Sequence, residues 1–290
     1  LKYAGMPLTL TFNLNKNSDD YKDDYQSRAE YGNYLYGAPF GPNRNRDAKG
    51  LGIPIDLSLA FHTDAGITRN DTAIGTLMIY TIAGLDTQNV FPDGVSRLAN
   101  RDLSDIVQTQ IVNDIRNLYD STWTRRQLMN ANYSESARPN FPSMLLELLS
   151  HQNFYELKFE LDPRYRFDVS RSIYKGMLKF LSSQYGLEYV VQPLPPTNFA
   201  AELNVNGEVS LSWKAQIDSL ESTANADKFI LYTRQGEGGF DNGKIVETNN
   251  LKLNDLKPGT ICSYKVTSVN NGGESFPSEI LSVCWMKNSS

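Results

Sequence analysis

Histidine is scarce in this chain, with two in 290 residues, and cysteine equally so. With so few imidazoles, the position of each one matters. Long apolar runs are missing too: none approaches the ~18 residues a membrane-spanning helix requires. Charge of one sign is also lacking. A net charge of -5 with 21% charged residues excludes a global bias toward nucleic acid or a membrane surface. No secretory leader is visible, but the chain opens at Leu1 rather than Met, so the true start is expected to lie upstream. What is present, 40% hydrophobic residues, suffices to build ordinary cores.

Both histidines follow apolar runs. Leu57-Ser58-Leu59-Ala60-Phe61 leads into His62, Thr63, Asp64, Ala65 and Gly66, the pattern of a strand delivering an imidazole and a carboxylate to its end. Ser143-Met144-Leu145-Leu146-Glu147-Leu148-Leu149-Ser150 carries Glu147 and then His151. A carboxylate flanked by five apolar side chains is desolvated unless it has a charged partner, a metal or a functional pocket. A buried ion pair with an arginine such as Arg138 is the structural alternative.

The spacing elsewhere predicts alternating helices and strands. Leu103, Ile106, Val107, Ile111, Ile115 and Leu118 mark an amphipathic helix over 97–119. A second helix is expected from an N-cap at Asp168 to a stop at Gly186, and a buried strand over Gly75 to Ile82. The sum is a three-layer α/β domain over 1–190, a sheet flanked by helices. Arg44, Arg46 and Lys49 give a basic character to the long loop Pro39 to Gly52. The proline-rich stretch Gln192 to Pro196 then ends the α/β pattern, and short alternating strands with turn residues fill 194–290.

Two resemblances follow from these residues. Ala60-Phe61-His62-Thr63-Asp64-Ala65, followed roughly eighty residues on by Pro142-x-x-Leu145-x-Glu147-x-x-Ser150-x-x-Asn153, resembles the zinc-dependent N-acetylmuramoyl-L-alanine amidases. Gly5 to Thr11 is similar to that family's second strand, and Arg28 to Asn33 to the helix before its histidine strand. Asp20-Tyr21-Lys22-Asp23-Asp24-Tyr25 and Leu148 to Phe154 resemble more closely a bacterial branch that carries the label xanthan lyase. The family's opening Pro-Gly-His turn and glutamate are missing, so an amidase domain lacking its first strand and helix is expected, its other zinc ligands lying upstream of Leu1.

The amidase resemblance implies His62 as a Zn2+ ligand and Glu147 as the catalytic general base. Asp64 either orients a ligand or substrate or caps the next turn, and His151 either borders the cleft or is a loop residue without a role. The implied reaction is hydrolysis of the muramoyl-L-alanine amide of peptidoglycan by an exported bacterial protein. The alternatives are a non-catalytic protein binding the cell wall or another cell-surface glycan, and a polysaccharide lyase. No nucleic-acid partner is expected.

The second half resembles a fibronectin type III domain through Trp213, Leu256-x-Pro258-Gly259-Thr260 and Gly273-Glu274-Ser275-x-Pro277-Ser278, with Cys262 where the sixth-strand tyrosine belongs. If its last hairpin turns symmetrically about Gly273, Cys262 and Cys284 stand opposite each other. A disulfide is then expected in an oxidising compartment, and two reduced thiols under Trp213 otherwise.

Overall fold

A computed structural model describes residues 1–11, 19–37, 49–254 and 256–286. The basic residues Arg44 and Arg46 lie outside them. The chain divides into two compact units, Leu1–Leu187 and Glu188–Ser290, with the proline-rich stretch at the start of the second. Among the described residues no helix is long and apolar enough to cross a membrane.

The first unit opens with a 3-10 turn at Lys2–Ala4, stopped by Gly5 in the left-handed region, and a short helix α1 (Leu8–Thr11). The strand expected over Gly5 to Thr11 does not form. The Pro7 carbonyl instead accepts from Leu10 N and Thr11 Oγ1, and both bonds close a helical turn. Helix α2 (Asp20–Tyr36) follows, capped by the Asp19 carboxylate on Tyr21 N. Strand β1 (Ser58–Asp64), strand β2 (Leu77–Tyr80), helix α3 (Leu98–Leu118), the two-residue strand β3 (Met129–Asn130), helix α4 (Ser134–Ala137) and strand β4 (Ser143–Ser150) come next. Helices α5 (Phe154–Glu160) and α6 (Pro163–Tyr185) complete the unit.

β2 is shorter than its apolar pattern predicts. Helix α6 starts earlier than expected, because Asp162 caps Arg164 N and Pro163 occupies the first turn, where its missing N–H costs nothing. Asp168 is an interior residue whose carboxylate accepts from the Tyr119 hydroxyl. The stop at Gly186, at φ 63°, is as expected.

The sheet order is β1-β4-β2-β3, with β1 parallel and β2 antiparallel to β4. Alternation divides β4 between its two faces. Met144, Leu146 and Leu148 pack with Val107, Ile111 and Ile115 of α3 and Val169 and Ile173 of α6, the main core. Leu145 faces the other way, with Leu77 and Ile79 of β2 and Ala60 of β1. Glu147 shares the face of Leu145, so the sheet's strand period removes this carboxylate from the main core. The unit is thus a mixed α/β structure.

The second unit is all β. One sheet comprises β5 (Thr197–Leu203), β6 (Val209–Lys214) and β9 (Asn250–Leu253). The other comprises β7 (Lys228–Gln235), β8 (Lys244–Val246), β10 (Ile261–Asn270), β11 (Gly273–Glu274) and β12 (Leu281–Cys284). Trp213 is 2% exposed at the centre, 5.5 Å from the Phe229 ring and 6.3 Å from that of Phe199. This is a β-sandwich core.

Cys262 and Cys284 form no disulfide, which corrects the expected one. The hairpin does not turn about Gly273: Asn270 pairs with Gly273, and the segment 275–280 leaves the ladder before β12 rejoins it. Cys262 then faces Val283, while Cys284 faces Ile261. An offset of one residue sends the two thiols to opposite faces, Cys262 into the core and Cys284 to solvent.

Candidate functional site

Parallel pairing of β1 with β4 sets His62 directly beside Glu147. Both line a cleft of about 400 Å³ whose other walls come from α2 (Tyr21, Tyr25, Arg28) and the segment 132–135 (Asn132, Tyr133, Ser134, Glu135). The cleft lies on the sheet face opposite α3, the face to which strand parity assigns Glu147.

Glu147 is the most perturbed carboxyl here. Burial pushes it up to about 7, the Asp64 and Glu135 carboxylates reinforce that shift, and the Arg126 guanidinium opposes it. Its Oε2 is buried with no hydrogen-bond partner. The alternative pairing with Arg138 does not occur, because Arg138 bonds the fully buried Glu30 at 2.9 Å. A carboxyl that titrates near neutrality can both accept and return a proton at physiological pH.

His62 Nε2 stands 3.6 Å from Glu135 Oε1, and the same oxygen accepts from Arg28 Nη1 at 3.2 Å. Arg28 also bonds Asp24, one turn earlier on α2. The imidazole is therefore held at the edge of a carboxylate–guanidinium network.

Asp64 does not reach into the cleft's polar network through His62. Its Oδ2 accepts from Arg126 Nη1 at 2.6 Å and its Oδ1 from Ala65 N at 2.7 Å. Burial alone would raise this carboxyl, but those two bonds and the Arg126 charge hold it below its usual value. Asp64 is thus held by Arg126 and its neighbouring backbone, and it acts on Glu147 through its charge.

His151 is not among the residues lining the cleft of Glu147. Its N–H bonds the Asp64 carbonyl at 3.0 Å, and its Nδ1 is 3.2 Å from Thr63 Oγ1, on a side chain that alternates away from His62 and Asp64. A bulge causes this: the two-residue step from His62 to Asp64 on β1 faces a three-residue step from Glu147 to Ser150 on β4.

Around the bulge the structure is pinned rather than loose. Ser150 N and Gly75 N both donate to Glu156, each at 2.6 Å, and Glu156 is fully buried. Asn153 caps α5 through Glu156 N and donates to the Thr72 carbonyl at 2.8 Å. Gly75 has φ 87°, and a Cβ there would lie 2.1 Å from the Thr124 carbonyl oxygen, so the approach to β2 requires glycine.

The described residues do not by themselves fit a zinc centre: they contain no group of three His, Cys, Asp or Glu side chains arranged to hold a metal. His62 is the only imidazole lining the cleft. The functional candidates that sequence reasoning missed are Glu135, Ser134, Asn132 and the tyrosines 21, 25 and 133. The tyrosines 21 and 25 sit on the polar helix α2, Ser134 and Glu135 on a four-residue helix, and Asn132 and Tyr133 in the irregular segment just before it, so none has a periodic signal and only the i, i+4 spacing of Tyr21 and Tyr25 marks a shared face.

The comparisons with known proteins concern the second unit. No curated protein sequence matches the chain. Among solved structures, the twitchin kinase region from C. elegans is similar at 20% identity over 34% of this chain and 18% of that one, with a TM-score of 0.30. A human fourth FNIII domain is similar at 20% identity over 34% of this chain and 83% of that one, with a TM-score of 0.29. The fibronectin type III family model matches residues 194–283, which span the sandwich from the strand before Trp213 to the one bearing Cys284. Residues 194–283 are a fibronectin type III domain.

Proposed function

We propose that residues 1–187 form an amide hydrolase of the N-acetylmuramoyl-L-alanine amidase type, acting on bacterial peptidoglycan outside the cell, with Glu147 as the general base. The observation that carries this reading is a carboxyl pushed up to about 7, register-paired with His62 at the wall of an open cleft. Glu147 takes a proton from the attacking water and passes it to the leaving amine. Zinc would supply Lewis-acid polarisation of the carbonyl, and its ligands beyond His62 would come from outside the described residues. A fibronectin type III domain as spacer or docking surface suits an exported protein of this kind.

The test is release of soluble fragments from purified peptidoglycan by the native protein, with Glu147→Gln as control. Release that depends on Glu147 supports the reading. Cleavage of xanthan to unsaturated uronates, read by ultraviolet absorbance, would replace it with a lyase. The incomplete donor set favours one second reading, a glycan-binding protein that uses the same cleft without turnover.

A further inference from the structure

We infer that the outer edge of β1 is a docking site for an extended, apolar segment of another polypeptide, which adds itself to the sheet as a further strand. This goes beyond the hydrolase reading and does not depend on it.

β1 is the edge strand of its sheet, with β4 on its inner side. Ser58 N donates to the Pro142 carbonyl and the register from Ser58 to His62 is regular, so the main-chain groups of Ser58, Ala60 and His62 turn toward β4. Those of Leu59 and Phe61 turn away from it. Among the described residues no hydrogen bond reaches them on that side. Edge strands that stay single are blunted by charge, proline, a bulge or a covering element. Ser58 to Phe61 carries no charge and no proline, the bulge comes only after His62, and Phe61 is 55% exposed.

Nor is the edge filled from within the unit. A groove of about 420 Å³ follows it, lined by all five residues from Ser58 to His62. Successive strand residues alternate between faces, so a groove lined by both parities runs along the strand's edge. The opposite wall includes Ala29 and Gly32 of α2, with Pro139 and Phe141. These side chains are small or apolar, and they match a run of apolar, β-branched residues, the kind that pairs best as a strand.

A second copy of this chain does not fit the groove. Two identical edges pair antiparallel about a two-fold axis perpendicular to the sheet, which would bring both copies of α2 into the same gap. The occupant is therefore a segment free of its own flanking helix.

Fluorescence anisotropy of the full chain with a labelled peptide, Lys-Thr-Val-Ile-Val-Thr-Lys, tests this. Saturable binding is expected, and the fully N-methylated peptide, which has no main-chain donors, should not bind. Phe61→Pro removes an outward N–H that no bond of the fold uses, so it should keep the wild-type melting temperature and weaken binding at least about tenfold. Phe61→Ala keeps that N–H and should weaken binding less. Absence of saturable binding, equal binding of the methylated peptide, or wild-type affinity in Phe61→Pro overturns the docking site. A chain that is dimeric by light scattering and becomes monomeric as Phe61→Pro would assign the edge to a second copy and overturn the partner. The probe carries no sugar and no muramoyl amide, so its binding and the release of peptidoglycan fragments fail independently.

Discussion

His62 and Glu147 are neighbours across a parallel ladder, one on the edge strand and one on the strand beside it, so a single register brings together an imidazole and a carboxyl separated by 84 intervening residues. Glu147→Gln keeps the shape and removes the proton acceptor. Fragment release should fall by at least about 100-fold, measured on purified peptidoglycan. Undiminished release would remove Glu147 from the mechanism.

The same substitution changes the dependence of stability on pH. Glu147 titrates near 4.5 when unfolded and about 7 when folded, so the folded state holds the extra proton between those values. Its contribution is therefore greatest below about 4.5 and is lost as pH rises through 7. The melting temperature of Glu147→Gln relative to wild type should climb from pH 4.5 to 7 and then level off. A constant difference across that window would show that the carboxyl is not perturbed.

Asp64 behaves in the opposite sense. Its folded value lies below 3.8, so its stabilisation is present above that pH and is lost as pH falls through the lower folded value. Asp64→Asn should cost no more than about 1 kcal/mol at neutral pH, since both partners are partly exposed. It should also flatten the acid limb of a melting curve series below pH 4.

Glu156→Gln should be the most damaging single change near the site. The buried carboxylate accepts from Gly75 N and Ser150 N on separate oxygens, and an amide offers only one acceptor, leaving a buried N–H facing an NH2. A loss of about 2–3 kcal/mol is expected by urea denaturation.

Purified chain should retain substoichiometric zinc after dialysis, read by elemental analysis, because one imidazole does not hold the metal tightly against water. Stoichiometric zinc would require donors additional to His62. In thiol titration, Cys284 should react in the native protein and Cys262 only after unfolding, in line with their exposures.

The strands that carry the cleft are legible in the sequence because apolar runs of four to eight residues ending at Asp64 and Ser150 have a period that tertiary contacts reinforce. Helix α3 is legible for the same reason. The beginning of α6 is not, because Asp162 and Asp168 both precede helical residues and only the proline after Asp162 distinguishes them. The Cys262–Cys284 offset depends on how residues 275–280 leave the ladder, which no local pattern encodes. Part of the cleft wall comes from residues whose importance is purely spatial: Glu135 and Ser134 lie in a helix one turn long.

Strand parity makes the segment from Ser143 to Glu147 intolerant of length change while leaving its composition open. Met144, Leu146 and Leu148 can be exchanged for other apolar residues of similar volume. A single inserted or deleted residue before Glu147 would instead rotate the carboxyl into the α3 core and a leucine into the cleft. Among descendants of this chain, loops can lengthen and core side chains can drift, but the spacing from Pro142 to Glu147 is the quantity that selection for the cleft would hold constant.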